Sequence, residues 1–235
     1  MKKISLVFCL MSAALFGLSR VAAQEAVKPF KGTVHYKITY ESNLPAEELA
    51  QMPQSAEIKI SDTKLLMSTE VAKAILNAEE NRAYNLLNLS HIGLGKYVIV
   101  ETLDEMQDTG DVRNYALKPT GETKTIHGYT AKRAVGSYQT PQADMSFEIY
   151  YVEDFCPAFF NYVEGSFIGL DGFPLAYSVT MKNHMQDVTV KTVFTPEKLQ
   201  YGDIDPKAFN IPKAYQAVTE DELRQMVEEF MSAFE

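Results

Sequence analysis

Between Thr123 and Met181 the chain carries three strand-like runs in close succession: TKTIHGYTAKRAVGSY, DMSFEIYYVEDF and GLDGFPLAYSVTM. Alternating apolar and polar residues commit such short runs to half-buried strands. In the second run Phe147, Ile149 and Tyr151 share one face, and in the third Leu175, Tyr177, Val179 and Met181 share another. Antiparallel neighbours need only short turns, so closely spaced runs favour a meander over a crossover fold. Gly128 supplies a turn or bulge between residues 122–126 and 129–138. Nothing in this stretch arranges residues for a reaction.

The same grammar extends outward. Residues 31–40, KGTVHYKITY, alternate Val34, Tyr36, Ile38 and Tyr40 with His35, Lys37 and Thr39, a strand with one wet face. Pro45 opens a short helix that Pro53 stops. Residues 56–60 and 64–70 read as one hairpin, and 71–76 and 82–89 as a second. Gly93 and Gly95 mark a loop before a strand at 96–100, and a further strand is expected at 112–117. Asp154 to Pro157 reads as the entry to a helix at 158–164 capped by Gly165. Pro174 cannot donate to a ladder, so the next strand is expected from Leu175. Its partner at 186–194 is expected to end at Thr195-Pro196, and one helical turn is expected at 205–209. Thr219 and Glu222 form a capping-box pattern, followed by an apolar stripe of Leu223, Met226, Val227, Phe230, Met231 and Phe234.

The first residues bear on compartment. Lys2 and Lys3 precede an apolar run from Ile4 to Leu18, and small residues Ala22 and Ala23 lead to Gln24. This is the layout of a secretory signal peptide cleaved near Ala23-Gln24. The run is ~15 residues, short of the ~20 that span a bilayer, so no membrane span is expected. The reading is residues 1–23 as leader and 24–235 as one domain, exported to a periplasm. Loss of Lys2, Lys3 and Arg20 takes the formal charge from -9 to -12. An acidic chain disfavours nucleic acid as a partner. Cys156 alone remains beyond the leader, so no internal disulfide forms and packing must supply stability. It reads as a buried small hydrophobe rather than a nucleophile.

Chemistry-bearing motifs are absent. His35, His91, His127 and His184 show no zinc spacing, the acidic run at 101–111 does not match an EF-hand, and no phosphate loop or nucleophile elbow occurs. No cofactor, no metal and no catalytic residue is expected. The chain is instead rich in adaptable apolar side chains, with 13 Tyr, 13 Phe and 10 Met. From alternation, the candidate lining of an apolar cavity is Phe147, Ile149 and Tyr151, with Phe173, Leu175 and Tyr177, and the helix residues Phe159, Phe160 and Val163.

The runs TKTIHGYTAKRA (123–134), IYYVEDF (149–155), GLDGFPLAY (169–177) and FNIPKAYQ (209–216) occur in that order. Together they resemble a family of exported Bacteroidetes proteins of unknown function, related in fold to the LolA/LolB lipoprotein carriers. The resemblance covers roughly residues 30–216. It implies an α+β, mainly β fold: an antiparallel sheet of ten or eleven strands, strongly curved into an unclosed half-barrel, with helices over the concave face. The C-terminal amphipathic helix is additional to the family pattern. In the carriers, the space between sheet and helices receives acyl chains. The resulting expectation is a periplasmic binder of a lipid or other apolar ligand, with an envelope protein–protein interaction module as the alternative.

Overall fold

The computed structural model describes residues 29–103, 117–157 and 170–232. The first part contains β1 (Gly32–Ser42), α1 (Ala46–Leu49), β2 (Ser55–Ile60), β3 (Lys64–Ser68), β4 (Ala72–Asn77), β5 (Arg82–Asn88) and β6 (Lys96–Thr102). The second part contains β7 (Lys118–Ile126), β8 (Tyr129–Gln139), β9 (Ala143–Val152), β10 (Phe173–Asn183) and β11 (Val188–Tyr201). A two-residue strand β12 (Gln216–Ala217) and helix α2 (Glu220–Ser232) follow.

The twelve strands of the described residues join one sheet in the order β12-β6-β5-β4-β3-β2-β1-β11-β10-β9-β8-β7. The fold is mainly β, and the sheet is unclosed, with β12 and β7 at its two edges. Pairing is antiparallel except where β12 runs parallel to β6. The order has a simple origin. β1–β6 form one meander running outward from the middle, and β7–β11 form a second running back inward. The meanders meet where β1 pairs with β11 along its whole length, from Gly32↔Tyr201 to Ser42↔Val190.

Two prolines were expected to limit strands, and both instead sit inside them at register shifts. β10 begins at Phe173, and its ladder with β9 shifts between Pro174 and Ala176. β11 continues through Pro196 to Tyr201, with its shift against β1 between His35 and Tyr36. A bulge removes a local ladder bond, so it accommodates a residue without an amide hydrogen. The helix expected at 158–164, and the strand expected at 112–117 apart from Leu117, lie outside the described residues, as does the expected leader.

Directly paired residues project on the same face of a sheet. Tyr177 pairs with Ile149 and with Phe194, and Phe194 pairs with Ile38. This face is therefore the expected apolar one, and Val34, Tyr36, Ile38, Ile58, Ile60, Phe147 and Ile149 are buried on it. On the opposite face of β3–β6, Leu66, Ile75, Leu86 and Val98 pack with Phe209. The turn expected at 205–209 is a 3-10 helix, Pro206–Phe209, which Asp205 caps by accepting the Lys207 amide at 2.9 Å. In α2 the capping box forms as its sequence pattern requires. The Thr219 amide donates to Glu222 at 2.8 Å, and the Glu222 amide donates to Thr219 Oγ1 at 3.2 Å. The Thr219 amide holds the Glu222 carboxyl below its usual range. Leu223 is buried, and the Phe230 ring lies against Gly93. Among the described residues no helix is long and apolar enough to cross a membrane.

Gly32 shows how tightly the β1–β11 junction is built. Its φ is 143°, and a Cβ there would lie 2.0 Å from the Gln200 carbonyl oxygen. Gly121 has φ 80° but open space around its missing Cβ. Gly32→Ala is expected to lower stability by about 2–4 kcal/mol, from clash and backbone strain together. Gly121→Ala, with strain alone, is expected to cost about 1 kcal/mol. Urea unfolding of the two variants measures the difference.

Candidate functional site

The hairpin β7–β8 turns through His127 and Gly128, with φ 48° and 87°. Two successive positive φ values are the mark of a two-residue hairpin turn whose twist matches that of its strands. Gly adopts this freely, and His is among the residues that tolerate it. The turn does not project into solvent. His127 Nε2 lies 2.8 Å from the Pro196 carbonyl oxygen in β11. A carbonyl only accepts, so Nε2 carries the proton and donates. Beside it, the hydroxyls of Tyr129 and Tyr201 are 3.0 Å apart. Burial, then the Tyr201 hydroxyl, push the Tyr129 phenol well above its usual range.

These contacts bend the sheet. β11 stands three to four places from β8 and β7, which is about 14–19 Å in a flat sheet. A histidine side chain reaches only a fraction of that, so the edge hairpin must curl back over β9–β11. Aromatic packing fixes the curl at one end. Phe155 stacks on Phe30 and Phe173 at centroid distances of 4.8 and 5.0 Å, and Tyr129 meets Phe155 edge-on at 5.0 Å.

Beneath the curled hairpin lies a cavity of about 470 Å³. Lys124, Thr125, Ile126 and His127 of the hairpin form its roof. Its floor comes from β9–β11 and β1. Tyr150 pairs with Ala176, Glu148 with Ser178, Ser178 with Val193, and Lys191 with Glu41, so these side chains share the face opposite to Phe147 and Ile149. Charges ring the floor. Lys191 Nζ is 2.9 Å from Glu41 Oε1, and Arg133 Nε is 2.9 Å from Glu148 Oε1. Lys124 Nζ lies 5.5 Å from the centroid of the Tyr150 ring, within cation–π range.

The candidate residues named from alternation fall mainly in the core. Phe147, Ile149, Tyr151 and Tyr177 pack in one cluster with Ala134 and Leu170. Phe173 and Leu175 belong to the larger cluster that contains Phe30 and Phe155. All six are at most 5% exposed. Of the nine, Tyr177 lines the cavity. Phe159, Phe160 and Val163 lie outside the described residues. Within the lining that sequence reasoning missed, Tyr150 and Ala176 lie on the alternate positions of the same two strands, and Val193 lies on the adjoining strand β11. The available signal was those three apolar or aromatic residues on the nominally polar face.

Cys156 is buried, and that burial pushes its thiol well above the ordinary range. A thiolate nucleophile needs the opposite shift. Among the described residues no group of three or more His, Cys, Asp or Glu could hold a metal ion. His35 pairs with Glu57 at 3.1 Å and His184 with Asp144 at 3.2 Å, as separate pairs.

The chain matches no protein-family model and no curated protein. It is similar to two crystal forms of PNGF-II, at 16% and 15% identity with TM-scores of 0.48 and 0.46. Each match covers 84% of this chain, and 33% and 34% of the PNGF-II chain, so this chain spans about a third of those proteins' length. It is also similar to a domain from Vibrio parahaemolyticus described as outer membrane lipoprotein-sorting. That match has 8% identity and a TM-score of 0.28, covering 76% of this chain and 89% of that one.

The tether at the hairpin tip has a measurable consequence. His127→Ala is expected to speed amide exchange in β7 and the start of β8 about tenfold, the worth of roughly one net hydrogen bond. Exchange in the central β1–β11 ladder is expected to stay unchanged. Peptide-resolved hydrogen exchange makes the comparison.

Proposed function

We propose that this protein is an exported envelope protein that binds one lipid-like or otherwise partly apolar molecule in the cavity beneath the β7–β8 hairpin, as a carrier or sensor rather than a catalyst. The observation that carries this reading is the cavity itself. At about 470 Å³ it falls inside the ~300–1,000 Å³ range of small-ligand sites. Its apolar walls, Tyr150, Ala176, Val193 and Ile126, receive a hydrocarbon body, and its polar rim orients a headgroup. The alternative, a protein-interaction module, would use a sheet edge or the apolar stripe of α2. That stripe is engaged by the protein's own surface at Leu223 and Phe230.

The test is native mass spectrometry of the mature protein from a periplasm, followed by organic extraction and uptake of the neutral probe N-phenyl-1-naphthylamine. A bound mass released by solvent, or probe fluorescence that rises on binding, is the expected result. Ser178→Trp places a large side chain on the floor of the cavity at a strand position that suits an aromatic. It is expected to abolish both signals while the far-ultraviolet circular dichroism is preserved. A wild-type protein that carries no such mass and takes up no probe overturns the reading.

A further inference from the structure

The charged side chains of the cavity are matched by opposite charges, with one exception. Lys191 is paired with Glu41. Glu148 is paired with Arg133, whose guanidinium also reaches Glu122 at 3.1 Å. His127 commits its Nε2–H to the Pro196 carbonyl. Lys124 has no carboxylate partner among the described residues, and its ammonium stands over the Tyr150 ring. The cation is thus held at the cavity roof by an aromatic face, and among the described residues its hydrogen-bond donors are uncommitted.

An uncommitted ammonium beside an aromatic and aliphatic wall discriminates by headgroup. A carboxylate gains a charge-assisted hydrogen bond there. A hydroxyl head gains a weaker one, and a cationic head is repelled. We infer that the ligand of this cavity is a carboxylate-bearing amphiphile. Its head pairs with Lys124 Nζ, and its hydrocarbon body lies along Tyr150, Ala176 and Val193. This inference rests on the reading of the cavity as a ligand site. The formal charge of the chain is -9, so the attraction is local to Lys124 rather than a property of the whole surface.

The test is calorimetric titration of the full folded domain with decanoate and with 1-decanol, each below its aggregation limit. The two probes share one chain length and differ in the head. Wild-type protein is expected to bind decanoate about tenfold more tightly than decanol, the scale of one charge-assisted contact. Lys124→Met keeps a linear side chain without charge. It is expected to abolish the preference: decanoate affinity falls about tenfold further than decanol affinity, which loses only the weaker hydroxyl contact. Lys124→Arg is expected to retain the preference. Lys124 is exposed, so circular dichroism should report a native fold in both variants. Equal binding of the two probes to wild type, or a preference that survives in Lys124→Met, overturns the inference and leaves the ligand cavity standing. Failure of both probes to bind wild type removes the cavity reading and the inference with it.

Discussion

The β1–β11 ladder holds the two halves of this molecule together. β2–β6 hang from one side of β1, and β10–β7 hang from the other side of β11. The two strands are far apart in sequence, so their pairing closes a long loop before any contact repays the entropy. Full-length register, a Gly at the tightest approach and buried side chains on the shared face provide that repayment. The inner ends are also tied by aromatics, with Phe30 against both Phe155 and Tyr201. The chain thus anchors the start of β1, the exit of β9 and the end of β11 in one cluster.

The cavity depends on this junction through one irregularity. Pro196 sits where the β1–β11 register shifts, and its carbonyl receives the His127 ring. A regular strand would direct that carbonyl into a ladder bond. Here β10 pairs with β11 only as far as Phe194, which leaves the Pro196 carbonyl available to a side chain from another strand. The hairpin tip that supplies the ring is itself irregular, with positive φ at a non-Gly residue. Two local departures from ideal strand geometry therefore meet at the contact that roofs the cavity. Such departures gather at functional positions because surrounding structure must hold them in place.

Much of the architecture was legible because its causes are local. The alternation of Val34, Tyr36 and Ile38 gave β1 and its buried face, the His127-Gly128 pair gave a hairpin, and Thr219 with Glu222 gave the start of α2. The prolines misled for a physical reason. A missing amide hydrogen does exclude a residue from a regular ladder, but sequence does not reveal a bulge that excuses it. The cavity was less legible still. Alternation separates the two faces of β9 and β10, and it assigned Phe147, Ile149 and Tyr177 to the apolar one. It says nothing about curvature, which arises when His127 meets Pro196 some seventy positions away. Only that curl converts the second face, with Tyr150 and Ala176, from a wet surface into a wall.

The two walls of the cavity differ in how they are held. The floor strands β9, β10 and β11 are each ladder-bonded on both sides. Among the described residues β7 is an edge strand paired with β8, and it meets the rest of the fold through the His127 hydrogen bond with its neighbouring Tyr pair, the Lys124–Tyr150 contact and the buried Ile126 side chain. Each such bond contributes about 1 kcal/mol net, whereas displacing a floor strand would break two ladders at once. The floor therefore sets the shape of the site, and the roof is the part that yields at least cost. Lys124 and Tyr150 lie on these two parts, one on the yielding wall and one on the fixed wall. A headgroup that engages the lysine while its body contacts the ring bridges roof and floor, so occupancy and closure of this cavity draw on the same contacts.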